Sequence, residues 1–322
     1  MAKKIGVIID FLTDEYATNI NEAAASHGYE VEYFDSSRAA VGNVDDCEII
    51  YGHPSQKVIA SAKNLKWFAC CWAGVDRFCR DELYQDPDCL LTNSSGVYGT
   101  TIAEHITMVA LMLLRRQMEY TEIIRSGGWS VLDGGIRSLH GARITVLGTG
   151  DIGTEFARRA RAFHPEKLIG VRRSVKPNPD FDEIHTIGEL DALLPGTDLL
   201  VMALPSTPDT EGILSRERLA LLPDTAYVIN VGRGTAVDQD ALIDALNAGR
   251  LAGAALDVVV PEPLPADHRL RSAKNLLLTP HVAGNMTLGY TCELNVKMFC
   301  DNLDRYAGNR PLTHLVDRKK GY

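Results

Sequence analysis

Three short segments of this 322-residue chain set chemically able side chains beside glycine or proline. They are Gly232-Arg233-Gly234, Pro261-Glu262-Pro263 and Pro280-His281-Val282-Ala283-Gly284. Each follows a short apolar run, at 226–231, 253–258 and 276–279, that suits a buried strand. A planar guanidinium between two glycines is unobstructed and matches a carboxylate in two-pronged fashion. A carboxylate beside an imidazole fixes its tautomer and favours its protonated form, which makes His281 a candidate general acid. If the strands are parallel neighbours, Arg233, Glu262 and His281 reach one rim, where ligands bind in open α/β sheets.

Upstream stands Arg143-Ile-Thr-Val-Leu-Gly-Thr-Gly-Asp-Ile-Gly-Thr-Glu-Phe-Ala-Arg. Ile144 to Leu147 reads as a buried strand, and Ile152, Phe156, Ala157, Ala160 and Phe163 recur at helical spacing. Between them Gly148, Gly150 and Gly153 keep G-x-G-x-x-G spacing. In that context the first glycine permits the tight turn, the second lets backbone approach a pyrophosphate, and the third lets helix and strand pack closely. The helix start at Asp151-Ile152 then offers free N–H groups and a positive dipole end to phosphates. A dinucleotide is therefore expected on Gly148, Gly150, Asp151, Ile152 and Gly153.

The next strand, 167–171, ends in Arg172-Arg173-Ser174, with Arg172 standing 19 residues after Gly153. An acidic residue near this place would grip a ribose 2′-hydroxyl. An arginine cannot accept that bond, but it pairs well with a 2′-phosphate. The cofactor predicted from these residues is NADP(H), preferred over NAD(H). Leu204, Pro205, Val231, Gly232, Asp257 and Gly284, at or beside the later strand ends, complete the expected dinucleotide contacts.

Composition narrows the class. Hydrophobic residues make up 45% and charged residues 23%, an ordinary globular balance, at a length comfortable for two domains. A net charge of -9 argues against a nucleic-acid or anionic-membrane partner. Seven scattered cysteines without C-x-x-C spacing read as reduced thiols in the cytoplasm, not as a disulfide framework or a metal site. The N-terminus enters a strand almost at once, so no signal peptide is expected. The most apolar helix, around 106–114, is far short of the ~20 residues a membrane span needs.

In chain order, strands are expected at 4–9, 30–34, 47–51, 66–70 and 90–93, with helices at 16–27 and 58–62. One long, broadly apolar helix follows over 100–125, suited to a domain crossing or a subunit interface. The second set of strands falls at 144–147, 167–171, 198–204, 226–231, 253–258 and 276–279. Helices intervene at 189–194, 216–221 and 238–248, and a last helix covers about 288–305. The stretch 259–275 reads as weakly structured. Alternating strands and helices predict an α/β architecture of two doubly wound parallel sheets. Only the second carries a glycine fingerprint.

Taken together, the ordered motifs Gly148-Thr-Gly-Asp-Ile-Gly153, Asn230-Val-Gly-Arg-Gly234, Asp257-Val-Val-Val-Pro-Glu-Pro263 and Pro280-His-Val-Ala-Gly284 resemble the D-isomer specific 2-hydroxyacid dehydrogenase family over nearly the whole chain. The resemblance implies catalytic roles for Arg233, Glu262 and His281. It implies a flavodoxin-like substrate domain from 1–98 plus 285–322, closing on a Rossmann dinucleotide-binding domain at 99–284. It also implies a homodimer made largely through the nucleotide domains. The loop matching Trp72-Ala73-Gly74-Val75-Asp76 would bind the substrate carboxylate through backbone N–H groups, and Asp257 would meet the nicotinamide carboxamide. The implied reaction is reversible reduction of a small 2-keto acid to the D-2-hydroxy acid. Tyr51, His53, Trp72 and Tyr98 are candidates to shape the pocket.

Two departures stand out. Arg172 replaces the Asp often found in the family, and Val259-Val260 stand where an aromatic often precedes the Glu-Pro segment. A formate dehydrogenase would carry an amide in place of Glu262. The allosteric 3-phosphoglycerate dehydrogenases would carry an appended domain. A dinucleotide-sensing corepressor on the same scaffold is the alternative of a different class, which short tails and an acidic surface disfavour.

Overall fold

The computed structural model describes residues 3–321; Met1, Ala2 and Tyr322, which the expected domain bounds include, lie outside the described residues. The chain forms two compact units, residues 1–98 with 286–322, and residues 99–285. In chain order the first unit contributes β1 (Lys3–Ile8), α1 (Asp14–Ala25), β2 (Tyr29–Tyr33), α2 (Ser37–Ala40), β3 (Cys47–Gly52), α3 (Gln56–Ser61), β4 (Trp67–Cys70) and β5 (Leu90–Thr92). The second holds α4 (Gly99–Leu114), α5 (Gln117–Arg125), β6 (Arg143–Leu147), α6 (Asp151–Arg161), β7 (Lys167–Arg172), β8 (Glu183–Thr186), α7 (Leu190–Leu193), β9 (Leu199–Met202), α8 (Arg216–Leu221), β10 (Tyr227–Asn230), α9 (Gln239–Asn247), β11 (Gly253–Leu256) and β12 (Leu276–Leu278). The last helix, α10 (Gly289–Ala307), returns to the first unit.

The first sheet is parallel throughout, in the order β2-β1-β3-β4-β5. Side chains alternate between two apolar clusters, as the two-residue period of a strand requires. Ile49, Tyr51, Trp67 and Ala69 pack with α1 and α10 residues such as Ile20, Val296, Phe299 and Leu303. Ile50, Phe68 and Cys70 pack on the other side with Val58, Ile59 and Phe78. Both faces are covered, which is why these strands are apolar at nearly every position. Entry to α1 is set by Thr13, whose hydroxyl oxygen accepts from the Tyr16 N–H at 3.2 Å.

The second sheet is also parallel, in the order β12-β11-β10-β9-β6-β7-β8. It has one strand more than the sequence pattern suggests. The addition, β8, is an edge strand of half-buried Glu-Ile-His-Thr. Its polar residues face partners such as Lys167, so no apolar run betrays it.

The single helix expected over 100–125 is instead two. Arg116 breaks it, with a left-handed backbone at φ 56°. Its side chain donates to Glu119 Oε1 at 2.7 Å and to the Gly134 carbonyl at 2.9 Å. Arginine and glutamine are good helix formers, so local propensity does not mark the break; it coincides with contacts from a distant loop, including the Arg137 N–H donating to the Leu114 carbonyl at 2.9 Å.

The strand–turn–helix from β6 to α6 owes its shape to close backbone contacts. Gly148 has φ +98°, and a Cβ there would lie 2.6 Å from the Ala203 carbonyl oxygen. A Cβ on Gly153 would lie 2.0 Å from the Gly148 carbonyl oxygen. A Cβ on Gly150 would meet nothing within 4 Å. Overpacking against rigid backbone costs on the order of 1–3 kcal/mol or more. Gly153→Ala should therefore lower Tm by about 5 °C or more, and Gly150→Ala by under about 2 °C. Equal shifts in a thermal melt would contradict this account of the turn.

Candidate active site on the strand-end rim

Parallel pairing brings the carboxyl ends of β12, β11, β10, β9, β6 and β7 to one rim. Strand order reverses between β6 and β9, the switch point where such sheets take ligands. The glycine turn after β6 and Leu204-Pro205 after β9 flank that point, while the ends of β10, β11 and β12 continue the rim.

Arg233 lies in the turn after β10. Asn230, 1% exposed, builds this turn: its side-chain amide donates to the Arg233 carbonyl at 2.8 Å and accepts from the Gly232 N–H at 3.0 Å. The flanking glycines are explained by crowding. A Cβ on Gly232 would fall 2.5 Å from the Leu204 carbonyl oxygen, and one on Gly234 would fall 2.4 Å from the Val259 carbonyl carbon. The Arg233 turn is thus pressed between the segments that follow β9 and β11.

Glu262 and His281 meet directly. His281 Nδ1 and Glu262 Oε2 are 2.8 Å apart, and Glu262 Oε1 accepts from the Val259 N–H at 3.0 Å. That pairing occupies Nδ1 and leaves Nε2 as the nitrogen able to exchange a proton. The His281 side chain is 44% exposed, so the ring is open to reactants. Its backbone has φ 55°, uncommon for a residue with a side chain.

Asp257, just past β11, is 3% exposed. Its carboxylate accepts from the Thr279 hydroxyl at 2.6 Å and from the N–H groups of Val282 and Ala283 at 2.9 and 3.0 Å. These bonds tie it to the loop that carries His281 and leads to half-buried Gly284.

Around the glycine turn, Asp151 opens α6 and its carboxylate lies against the first residue of α4. A Cβ on Gly99 would stand 2.4 Å from Asp151 Oδ1. The neighbouring Ile152 is half-buried on α6. At the end of β7, Arg172 is half-buried and makes no ion pair among the described residues, while Arg173 and Ser174 are exposed. Val231 is buried beside Gly232.

In the first unit, Trp72-Ala73-Gly74-Val75 follow β4. The Ala73 carbonyl accepts from the Asn93 amide at 2.9 Å, and the Trp72 carbonyl accepts from the Ser94 N–H at 3.1 Å. With the carbonyls turned inward, the N–H groups of Ala73, Gly74 and Val75 find no acceptor among the described residues. The Trp72 ring packs on His53 at 4.4 Å. Burial, and then the adjacent Arg77 guanidinium, depress the His53 pKa to about 4, so that ring is neutral near pH 7.

Two other candidates for the pocket wall are core residues. Tyr51 is 1% exposed, stacks on Phe299 at 4.1 Å and donates to Asn295 Oδ1 at 2.8 Å. Tyr98 is 3% exposed and donates to the Cys71 carbonyl at 2.7 Å. Conversely, Asn230, Thr279 and Asn93 shape the site without having been expected there. All three carried a signal, since each is a polar residue at or near the end of an apolar strand.

Comparison with known proteins agrees with this geometry. Residues 107–283 match the family described as D-isomer specific 2-hydroxyacid dehydrogenase, NAD binding domain. Glyoxylate/hydroxypyruvate reductase B from Pectobacterium carotovorum is 34% identical over 239 residues, 72% of this chain and 73% of that protein. The human glyoxylate reductase/hydroxypyruvate reductase is 30% identical over 240 residues, 73% of this chain and 72% of that one. Among solved structures, an NADPH-dependent glyoxylate/hydroxypyruvate reductase from Sinorhizobium meliloti, in complex with NADP and sulfate, superposes with a TM-score of 0.83 at 27% identity. It covers 99% of this chain and 100% of that one. A D-isomer specific 2-hydroxyacid dehydrogenase from Xanthobacter autotrophicus, in complex with NADPH and MES, gives 0.84 at 28% identity, with both chains covered fully. With a family match over more than half of the chain and relatives of this identity and coverage, this chain belongs to the D-isomer specific 2-hydroxyacid dehydrogenase family of NAD(P)-dependent oxidoreductases.

Proposed function

We propose that the protein reversibly reduces a small 2-keto acid to the D-2-hydroxy acid, with NADPH preferred over NADH. The observation that carries this reading is the 2.8 Å pairing of His281 with Glu262 on the rim that also bears the glycine turn. The residues fit a dinucleotide. Gly150 leaves open space where a pyrophosphate would press on backbone, the start of α6 offers N–H donors, and Arg172 is a cation without an acidic partner among the described residues. When bound, the nicotinamide supplies the hydride.

The chain supplies position and charge. Protonated His281 donates from Nε2 to the carbonyl oxygen as negative charge develops there. Glu262 keeps the ring oriented and stabilises its cationic form. Arg233 grips the substrate carboxylate and polarises the carbonyl. In the first unit, the N–H groups of Ala73, Gly74 and Val75, which find no acceptor among the described residues, suit a carboxylate. Asp257 orders the His281 loop through its three internal bonds. The names of the bacterial and human relatives make glyoxylate and hydroxypyruvate the first substrates to try, ahead of 2-ketopantoate and branched 2-keto acids.

A homodimer through the second unit is part of this reading. Trp129 is 92% exposed and Val131 85%, with Ile124 and Ile136 also about half exposed. Large apolar side chains exposed within one short stretch of chain suit an interface, and the occupant proposed is a second copy of the chain.

The direct test is oxidation of NADPH and NADH against a panel of 2-keto acids. Turnover with NADPH is expected; tight nucleotide binding with no turnover on any acid would favour a sensor instead. His281→Ala should cut kcat by roughly 10²–10⁴-fold with dinucleotide affinity unchanged, and near-normal turnover would remove its role. Arg172→Asp should lower the NADPH-to-NADH ratio of kcat/KM by about tenfold or more, an ion-pair-sized effect; an unmoved ratio would refute the 2′-phosphate contact. Trp129→Asp should convert a dimer to a monomer in light-scattering chromatography, and an unchanged dimer mass would place the interface elsewhere.

A further inference from the structure

We infer that His105, acting through the Thr279 hydroxyl, fixes the Asp257 carboxylate that holds His281 in its active conformation. His105 and Thr279 are then positioning residues for the proton donor. The inference rests on the reading of His281 given above.

The argument starts from the His281 backbone. Its φ of 55° is a left-handed conformation that is unfavourable for a non-glycine residue, so neighbouring bonds must impose it. The His281 N–H donates to the Asp257 carbonyl at 2.9 Å and to the Thr279 carbonyl at 3.0 Å. The next two N–H groups, of Val282 and Ala283, donate to the Asp257 carboxylate. The carboxylate orientation therefore sets the path of the backbone on both sides of the imidazole.

Proton bookkeeping gives the rest of the chain a direction. An ionised carboxylate only accepts, so the 2.6 Å contact uses the single proton of the Thr279 hydroxyl. Toward His105 Nε2, 3.3 Å away, the Thr279 oxygen can then only accept. His105 must carry its proton on Nε2. Burial depresses the pKa of the ring against the opposing field of Asp257, so the neutral Nε2–H form is favoured near pH 7. The result is a directed relay from His105 to Thr279 to Asp257.

The relay begins on a rigid element. Ile102, Ile106 and Val109 of α4 are buried around His105, and α4 packs on both β10 and β11. A helix spaced 174 residues from Thr279 thereby anchors the proton-donor loop. No step of the relay transfers a proton; it orients one carboxylate.

The test is a double-mutant cycle on the full-length enzyme with NADPH and the best acid from the panel. Thr279→Val should lower kcat by roughly 10–100-fold and His105→Leu by about fivefold or more, the scale of a lost bond to a buried charge. Dinucleotide KM should stay within about twofold in both. Thr279→Ser and His105→Gln keep a hydroxyl and an N–H donor, and should restore kcat to within about threefold. Because both variants break one chain, the double variant should be no slower than Thr279→Val alone. Multiplied losses, failure of His105→Gln to restore what His105→Leu removes, or a kcat unmoved in His105→Leu would each overturn the relay. If Thr279→Val does not fold, the His105→Leu and His105→Gln pair, matched for Tm, decides alone. His281→Ala, run alongside, separates the two levels. An active His281→Ala sinks the reading of the site, whereas an inactive one with a fully active His105→Leu sinks only the relay.

Discussion

Parallel pairing is the constraint on which the second unit depends. Seven strands run in one direction, so whatever follows each of them emerges at the same rim. A glycine turn, an arginine, a glutamate and a histidine scattered over more than a hundred residues become neighbours along one edge without any local sequence signal linking them. The sheet itself is held by apolar burial on both faces, which is indifferent to the chemistry at its edge. That separation lets the edge carry strained and polar features, such as the left-handed His281 backbone, that would be costly inside.

Electrostatics at the rim follow a division of labour between two carboxylates. Glu262 is partly exposed and faces the imidazole, where the proposed reaction would change the charge. Asp257 is buried and faces three fixed donors, where charge does not change. A buried carboxylate is tolerable only when its acceptors are filled, and filling them with the N–H groups of the loop converts that requirement into positional control.

The sequence disclosed the parts of this arrangement that rest on local backbone need. Gly148 and Gly153 stand at their spacing because they press on neighbouring backbone, while Gly150 borders open space. Arg233 was recognisable between its glycines, and His281 after its proline, because such punctuation at a strand end exposes a side chain. What stayed hidden depends on partners far along the chain. The break at Arg116 is accompanied by a bond to a carbonyl at residue 134 and is not marked by helix propensity. Edge strand β8 has no apolar run to show. The commitment of Asp257 to Thr279 and the contact of Thr279 with His105 join residues that periodicity assigns only to burial or exposure. Tyr51 and Tyr98 could be read as pocket or packing from type alone, and only their hydrogen bonds place them in the core.

The crowding around Arg233 limits how this scaffold can change. Its turn is wedged between the backbone at Leu204 and the backbone at Val259, with no space for even a methyl group at Gly232 or Gly234. Insertions directly after β9 or β11 would therefore displace the guanidinium along with the loop. Length variation is admissible only farther out, beyond Pro263, where the chain runs through exposed residues before the short turn at Arg269–Ser272. Changes of loop length at this rim are thus best accommodated in the outer half of one loop, while the glycines beside the arginine are constrained by volume.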